Sequence, residues 1–119
     1  MKLIIAGGRS FKDYQLLKSE VMSFIVNNAH TKDIEIISGK AIGADLLGER
    51  FATEYNFKLI EMPADWDRYG KSAGYIRNKE MAKIATHCIC FWDGESKGTK
   101  HMIDLANTFN LITKVIRYD

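Results

Sequence analysis

The chain has 119 residues, enough to bury a core without disulfide or metal staples, and reads as one domain over 1–119. Seventeen Lys and Arg against fifteen Asp and Glu leave a formal charge of +2. The basic residues are scattered singly, which argues against duplex nucleic acid as a partner and leaves small anionic ligands open. No run approaches the ~18 apolar residues of a membrane span and the stretch before Gly7 is too short for a signal-peptide core, so no membrane partner and a cytoplasmic location are expected.

In chain order, "KLIIA" (2–6) is a short apolar strand ending in Gly7-Gly8, and Leu16, Leu17, Val21, Phe24 and Ile25 then recur at helical spacing. The unit repeats as "IEIIS", "GKAIGAD" and "LLGERFATEY". It repeats again as "FKLIEM", a long loop and "AGYIRNKEMAKIA", then as "HCICFW", "DGESKG" and "TKHMIDLANTF", before a last strand "LITKVIRY". Five strands alternating with four helices predict an α/β fold, a three-layer Rossmann-like sandwich around a five-stranded parallel sheet, because parallel strands need crossovers and helices supply them. Cys88 and Cys90 fall on one face of one strand, where they are poorly placed to bridge each other, and read as reduced, buried thiols.

Such a sheet puts its ligand crevice at the carboxyl ends of the strands, where four loops must meet: 7–13, 38–45, 63–72 and 93–99. In the first, Gly7 and Gly8 allow a tight turn whose N–H groups, with Arg9 and Ser10, can reach a phosphate; a plain turn with a solvated Arg9 fits equally. The second offers Ser38, Gly39, Gly43 and Asp45 at a helix start. It lacks the Gly-Lys-Ser/Thr of a Walker loop, yet free N–H groups there favour an anion, and Asp45 can cap the helix or accept from a ribose hydroxyl. The third holds Trp66, Tyr69 and Tyr75 among charges, suited to stacking on a purine or to a subunit contact. In the fourth, beyond Asp93, Gly94 and Gly98 surround Ser96 as a helix cap and Thr99 as a first-turn hydroxyl, together an oriented phosphate seat.

Arg77 is the sharpest single residue. Ala73, Ile76, Met81 and Ile84 form an apolar stripe at helical spacing and Arg77 falls within its arc, where it costs stability unless it reaches an anion or a carboxylate. His87 at a strand start, His30 in a polar turn and His101 without a spaced partner do not make a metal site, so neither metal nor cofactor is expected.

"GGRSF", "SGKAIGAD", "PADWDRYGKSAGYIRNKEM" and "FWDGESKGT", in this order over nearly the whole chain, resemble the SLOG superfamily, which includes the Lonely Guy phosphoribohydrolases, and especially its small YspA/YpsA-related branch. The resemblance implies a pocket for a nucleotide or nucleotide-derived ligand, and dimers or larger homo-oligomers. "RNKEM" matches the Arg and Met of the Lonely Guy helix at Arg77 and Met81, with Asn78 replacing a lysine. Gly98-Thr99 match the Gly-Thr of those enzymes, but the glutamate expected three residues on is Met102, which with Leu105, Ala106 and Phe109 continues an apolar stripe. A thioether can neither stabilise nor attack a sugar centre. The leading expectation is therefore a sensor, or a sequestering sponge of phage or mobile-element type, that holds a phosphorylated nucleotide derivative. The alternative is an N-glycoside hydrolase of nucleoside 5′-monophosphates with a relocated carboxylate, Asp45, Asp93 or Asp104, and the third a scaffold with a vestigial pocket.

Overall fold

The computed structural model describes residues 1–29 and 32–118; His30 lies outside the described residues. The elements follow as β1 (Lys2–Gly7), α1 (Tyr14–Asn28), β2 (Glu35–Ser38), α2 (Ala44–Glu54), β3 (Lys58–Glu61), α3 (Trp66–Tyr69), α4 (Ala73–Ile84), β4 (His87–Trp92), α5 (Lys97–Thr108) and β5 (Ile112–Arg117). The strands form one all-parallel five-stranded sheet in the order β3-β2-β1-β4-β5, with Ile4 paired to Ile37 on one side and to Cys88 on the other. Strand order reverses beside β1, so the loops after β1 and β4 part there and leave a crevice.

Alternation along each strand divides the core in two. Leu3, Ile5, Ile36, Ile89 and Phe91 face α1 and α2, while Ile4, Ala6, Ile37, Cys88 and Cys90 face α4 and α5. The α1 stripe buries Leu17, Val21, Phe24 and Ile25 as its spacing requires. Among the described residues no helix is long and apolar enough to cross a membrane.

The segment read as one long loop after β3 contains local order. Asp65 caps α3, its Oδ1 accepting the Arg68 N–H at 3.1 Å, and a 3-10 turn over Gly70–Ser72 leads into α4. The inward face of α4 also differs from the apolar stripe. Asn78, Met81 and Ala82 are buried, whereas Ile84 is exposed, because the Asn78 amide finds buried hydrogen-bond partners and so turns inward with the apolar residues.

Helix α2 lies unusually close to β1. A Cβ added at Gly48 would stand 2.9 Å from Ile5 Cβ and from Ile5 Cγ2, and one at Gly7 would stand 2.8 Å from Ala44 Cβ. Gly48→Ala is expected to destabilise the protein by ~1–3 kcal/mol through overpacking, read as a lower urea midpoint at unchanged m-value; an unchanged midpoint would show that α2 can shift without cost.

Candidate functional site

At the carboxyl ends of the strands lies a cavity of about 620 Å³, lined from loops after β1, β2, β3 and β4 and from the first turns of α2, α4 and α5. Of the residues singled out in the sequence, Gly7, Arg9, Gly39, Asp45, Trp66, Tyr75, Arg77, Asn78, Met81, Ser96, Gly98 and Thr99 line it.

Its floor is built around Gly39. A side chain there would collide with two groups from different elements: its Cβ would stand 2.6 Å from Arg77 Nη1 and 2.9 Å from Asp45 Oδ2. The absence of a Cβ thus lets a guanidinium from α4 and a carboxylate from α2 converge over one backbone position. Arg77 Nη1 donates to the Gly39 carbonyl, and its Nε donates to Asn78 Oδ1 at 2.9 Å. No carboxylate lies within ion-pair distance of Arg77 among the described residues. Burial draws its pKa down and the nearby Asp45 draws it up.

Asp45 is 4% exposed. Burial raises its carboxyl to about 6, against the opposing pull of the Ala41 N–H, Arg77 and the Gly7 N–H. The Ala41 N–H donates to Oδ2 at 3.3 Å. At neutral pH the group is mostly ionised and sits at the first turn of α2, where partial positive charge favours it.

The opposite wall is the start of α5. Ser96 caps it, its Oγ accepting the Thr99 N–H at 3.4 Å and lying 3.0 Å from Thr99 Oγ1. Gly98 has open space where a side chain would stand, so the first turn is approachable from the cavity. Asn78 ties this wall to α4, its Nδ2 donating to the Gly98 carbonyl at 3.4 Å.

Seven candidate residues are not brought to the cavity. Gly8 is buried beneath Tyr118, whose hydroxyl lies 3.1 Å from Ser10 Oγ and holds Ser10 outward. Ser38 is buried and its hydroxyl donates to Glu49 Oε2 at 2.7 Å while accepting the Lys40 N–H at 3.0 Å, so it braces its own loop. Gly43, with φ +97°, turns the chain into α2 against the Gly8 carbonyl. Gly94 takes φ +88° beneath the Arg117 guanidinium. Asp93 closes that turn: its Oδ1 accepts the Glu95 and Ser96 N–H groups, both at 2.8 Å, and these bonds hold its carboxyl below its ordinary pKa. Asp104 is occupied with Lys100 on the exposed face of α5.

Sequence reading missed Lys40, Ile42 and Lys71 as lining residues. Lys40 is paired with Glu49 and Glu61, and Lys71 rides on the 3-10 turn that the Asp65 cap introduces, a signal present as Asp three residues before Arg68. Arg9 and Lys71, like Arg77, have no carboxylate within ion-pair distance among the described residues. Trp66, 54% exposed, stands at the mouth with its ring edge over Gly74, and Ile42 is 70% exposed across from loop residues of the same rim. Met102, 1% exposed, packs in the core with Met81, Cys88 and Ala106 and is not a lining residue. Among the described residues, no group of three or more His, Cys, Asp or Glu is placed to hold a metal ion.

The Asp45 environment predicts a pH-dependent stability. Its folded pKa of about 6 exceeds the ordinary 3.8, so its contribution is most favourable below the unfolded value and is lost as pH rises through the folded one. The ionised form then costs on the order of 3 kcal/mol. Asp45→Asn is expected to be more stable than the parent at pH 7.5, with the gap closing toward pH 4; parallel melting curves at both pH values would show that Asp45 is not the titrating group.

A family model described as the YspA, cpYpsA-related SLOG family matches residues 1–69. The chain is also similar to the Gene 61 protein of Mycobacterium phage D29, at 32% identity over 108 residues that cover 84% of this chain and 83% of that one. No solved structure matches it. The family match takes in the first two loops and Trp66, and the wider similarity extends along most of the chain. The chain belongs to the YspA, cpYpsA-related SLOG family.

Proposed function

We propose that the protein binds a phosphorylated nucleotide derivative in this cavity and holds it without turnover, as a sensor or a sequestering sponge, acting in the cytoplasm as a homo-oligomer with no duplex nucleic acid or membrane as partner. The observation that carries this reading is the convergence on one cavity of three cations with no carboxylate partner among the described residues, Arg9, Lys71 and Arg77, with the approachable first turn of α5. Trp66 at the mouth supplies a face for a base. Met102 in the core supports binding without hydrolysis, since the position that carries a glutamate in the resembling hydrolases has no access to a ligand here. Similarity to a phage protein fits a part in conflict over host nucleotide signals.

One observation favours a second reading, the N-glycoside hydrolase: a buried carboxylate raised to about 6 lies within the cavity. A protonated Asp45 could give its proton to the base as the N-glycosidic bond breaks, while water bonds to the sugar carbon and sheds its spare proton to the Asp45 carboxylate or to solvent. Asp93 suits that role less than Asp45, since its Oδ1 accepts two backbone N–H groups and it does not line the cavity.

A depletion-and-release experiment tests the proposal. Purified protein is incubated with nucleoside monophosphates, ADP-ribose and its cyclic isomers, and cyclic dinucleotides, then filtered, and the retained fraction is heated. Recovery of one compound intact from the heated protein is expected, whereas free base or ribose phosphate in the filtrate would establish the hydrolase. For a compound so retained, Arg77→Ala is expected to weaken binding by at least ~100-fold, the worth of a charge-assisted contact left unmade, and Trp66→Ala by ~10-fold. Unchanged affinity in the Arg77 variant would remove this cavity as the site.

A further inference from the structure

Arg77 is held toward the cavity by a neighbour that is itself held. Its Nε–H can only donate, so the Asn78 atom 2.9 Å away is the amide oxygen, and the orientation of that amide is settled by chemistry. The amide nitrogen then faces α5, where it meets the Gly98 carbonyl at 3.4 Å and His101 Nδ1 at 3.3 Å. Both of its N–H groups are donors, so His101 Nδ1 must accept, which puts the imidazole proton on Nε2. Asn78 is buried and has no spare orientation: turning the amide would set its NH₂ against the Arg77 N–H.

We propose that His101 is a positioning residue for the cavity: its neutral ring, accepting at Nδ1, fixes the Asn78 amide, and the Asn78 amide fixes the Arg77 guanidinium. The consequence for ligand binding rests on the function proposed above; the relay itself does not. A protonated ring presents N–H to the Asn78 NH₂, two donors face each other, and the relay releases Arg77. His101 does not line the cavity, so this influence is exerted through Asn78.

The surroundings keep the ring neutral at physiological pH. Burial lowers its pKa and Asp104, on its own helix, raises it in opposition. From α4, the Tyr75 ring meets it edge to face at a centroid distance of 4.5 Å. Among the described residues the charged group that acts on the ring is Asp104.

Nuclear magnetic resonance of the free, full-length protein tests the relay without any ligand. The Arg77 Nε–H resonance is assigned by its loss in Arg77→Lys and followed in an Asp45→Asn background, which removes the other group near Arg77 titrating in this range. It is expected to shift with the same midpoint as the His101 imidazole signals. In Asp45→Asn/His101→Gln, whose side-chain oxygen accepts without titrating, that inflection is expected to vanish. A flat Arg77 resonance while His101 titrates, or an inflection that survives His101→Gln, overturns the proposal; the first comparison needs no variant at position 101 to fold. Binding of inorganic sulfate at pH 7.5, where the ring is uncharged, is expected to weaken ~5-fold in His101→Ala and to recover in His101→Gln. Sulfate bound equally by the parent and His101→Ala also counts against the relay. An intact relay in a protein that binds no sulfate would instead overturn the reading of the cavity as an anion site.

Discussion

The seating of α2 on β1 is the contact from which the rest of the site follows. Gly48 against Ile5, and Ala44 against Gly7, let the helix approach the central strand more closely than any side chain would permit. That approach carries the first turn of α2 to the end of β1, next to the place where strand order reverses. The Gly8 carbonyl accepts the Ala44 N–H at 3.4 Å and the Phe91 carbonyl accepts the Gly8 N–H at 3.1 Å, so the first loop is clamped between helix and sheet. Phe11 completes the clamp, its ring tilted against Phe91 and edge to face with Tyr118, at centroid distances of 4.7 and 4.8 Å. Glycines near the cavity serve more as clearances for close packing than as a wrap for a ligand.

Once α2 is seated, Asp45 is carried into the crevice and its carboxylate must be reconciled with burial. Two backbone N–H groups and the Arg77 guanidinium offset part of the desolvation, leaving a carboxyl that titrates near 6 rather than 4. Arg77 faces the complementary problem from α4 and meets it with neutral oxygens, the Gly39 carbonyl and the Asn78 amide. A guanidinium satisfied by neutral acceptors keeps its charge available, whereas one in a salt bridge would have spent it on a fixed partner. The cavity therefore holds a net positive field beside one carboxylate that can lose its charge.

Two positions where the resemblance to the hydrolases implies a lysine and a glutamate carry other residues here, and both are coherent with their surroundings. Asn78 in place of a lysine supplies both an acceptor for Arg77 and donors for α5, joining the two helices that flank the crevice. Met102 in place of a glutamate fills the core between α4, α5 and the sheet. A carboxylate there would be buried among Met81, Cys88 and Ala106 without a partner, at a cost of several kcal/mol. The local packing there is a core that admits a thioether and excludes a charge.

By itself the sequence determined the alternation of strand and helix, because short continuous apolar runs and period-3.6 apolar patterns are local and strong; β4 spans His87–Trp92 as its apolar run requires. It also determined which loops meet, since a parallel sheet gathers the carboxyl ends of its strands. Arg77 was legible because a charge inside an apolar arc demands a partner, and Ser96 because a cap has a short-range signature. Only the tertiary structure decided which loop residues face inward. Ser38, Gly43, Gly94 and Asp93 look like ligand contacts in a linear reading, yet they are consumed by Glu49, Gly8, Arg117 and the turn at Glu95, partners whose approach no local pattern encodes. The convergence of Asp45 and Arg77 over Gly39 joins positions far apart in the chain, and it exists because helix-to-sheet distance, a property of packing, is set by residues with no side chain to announce it.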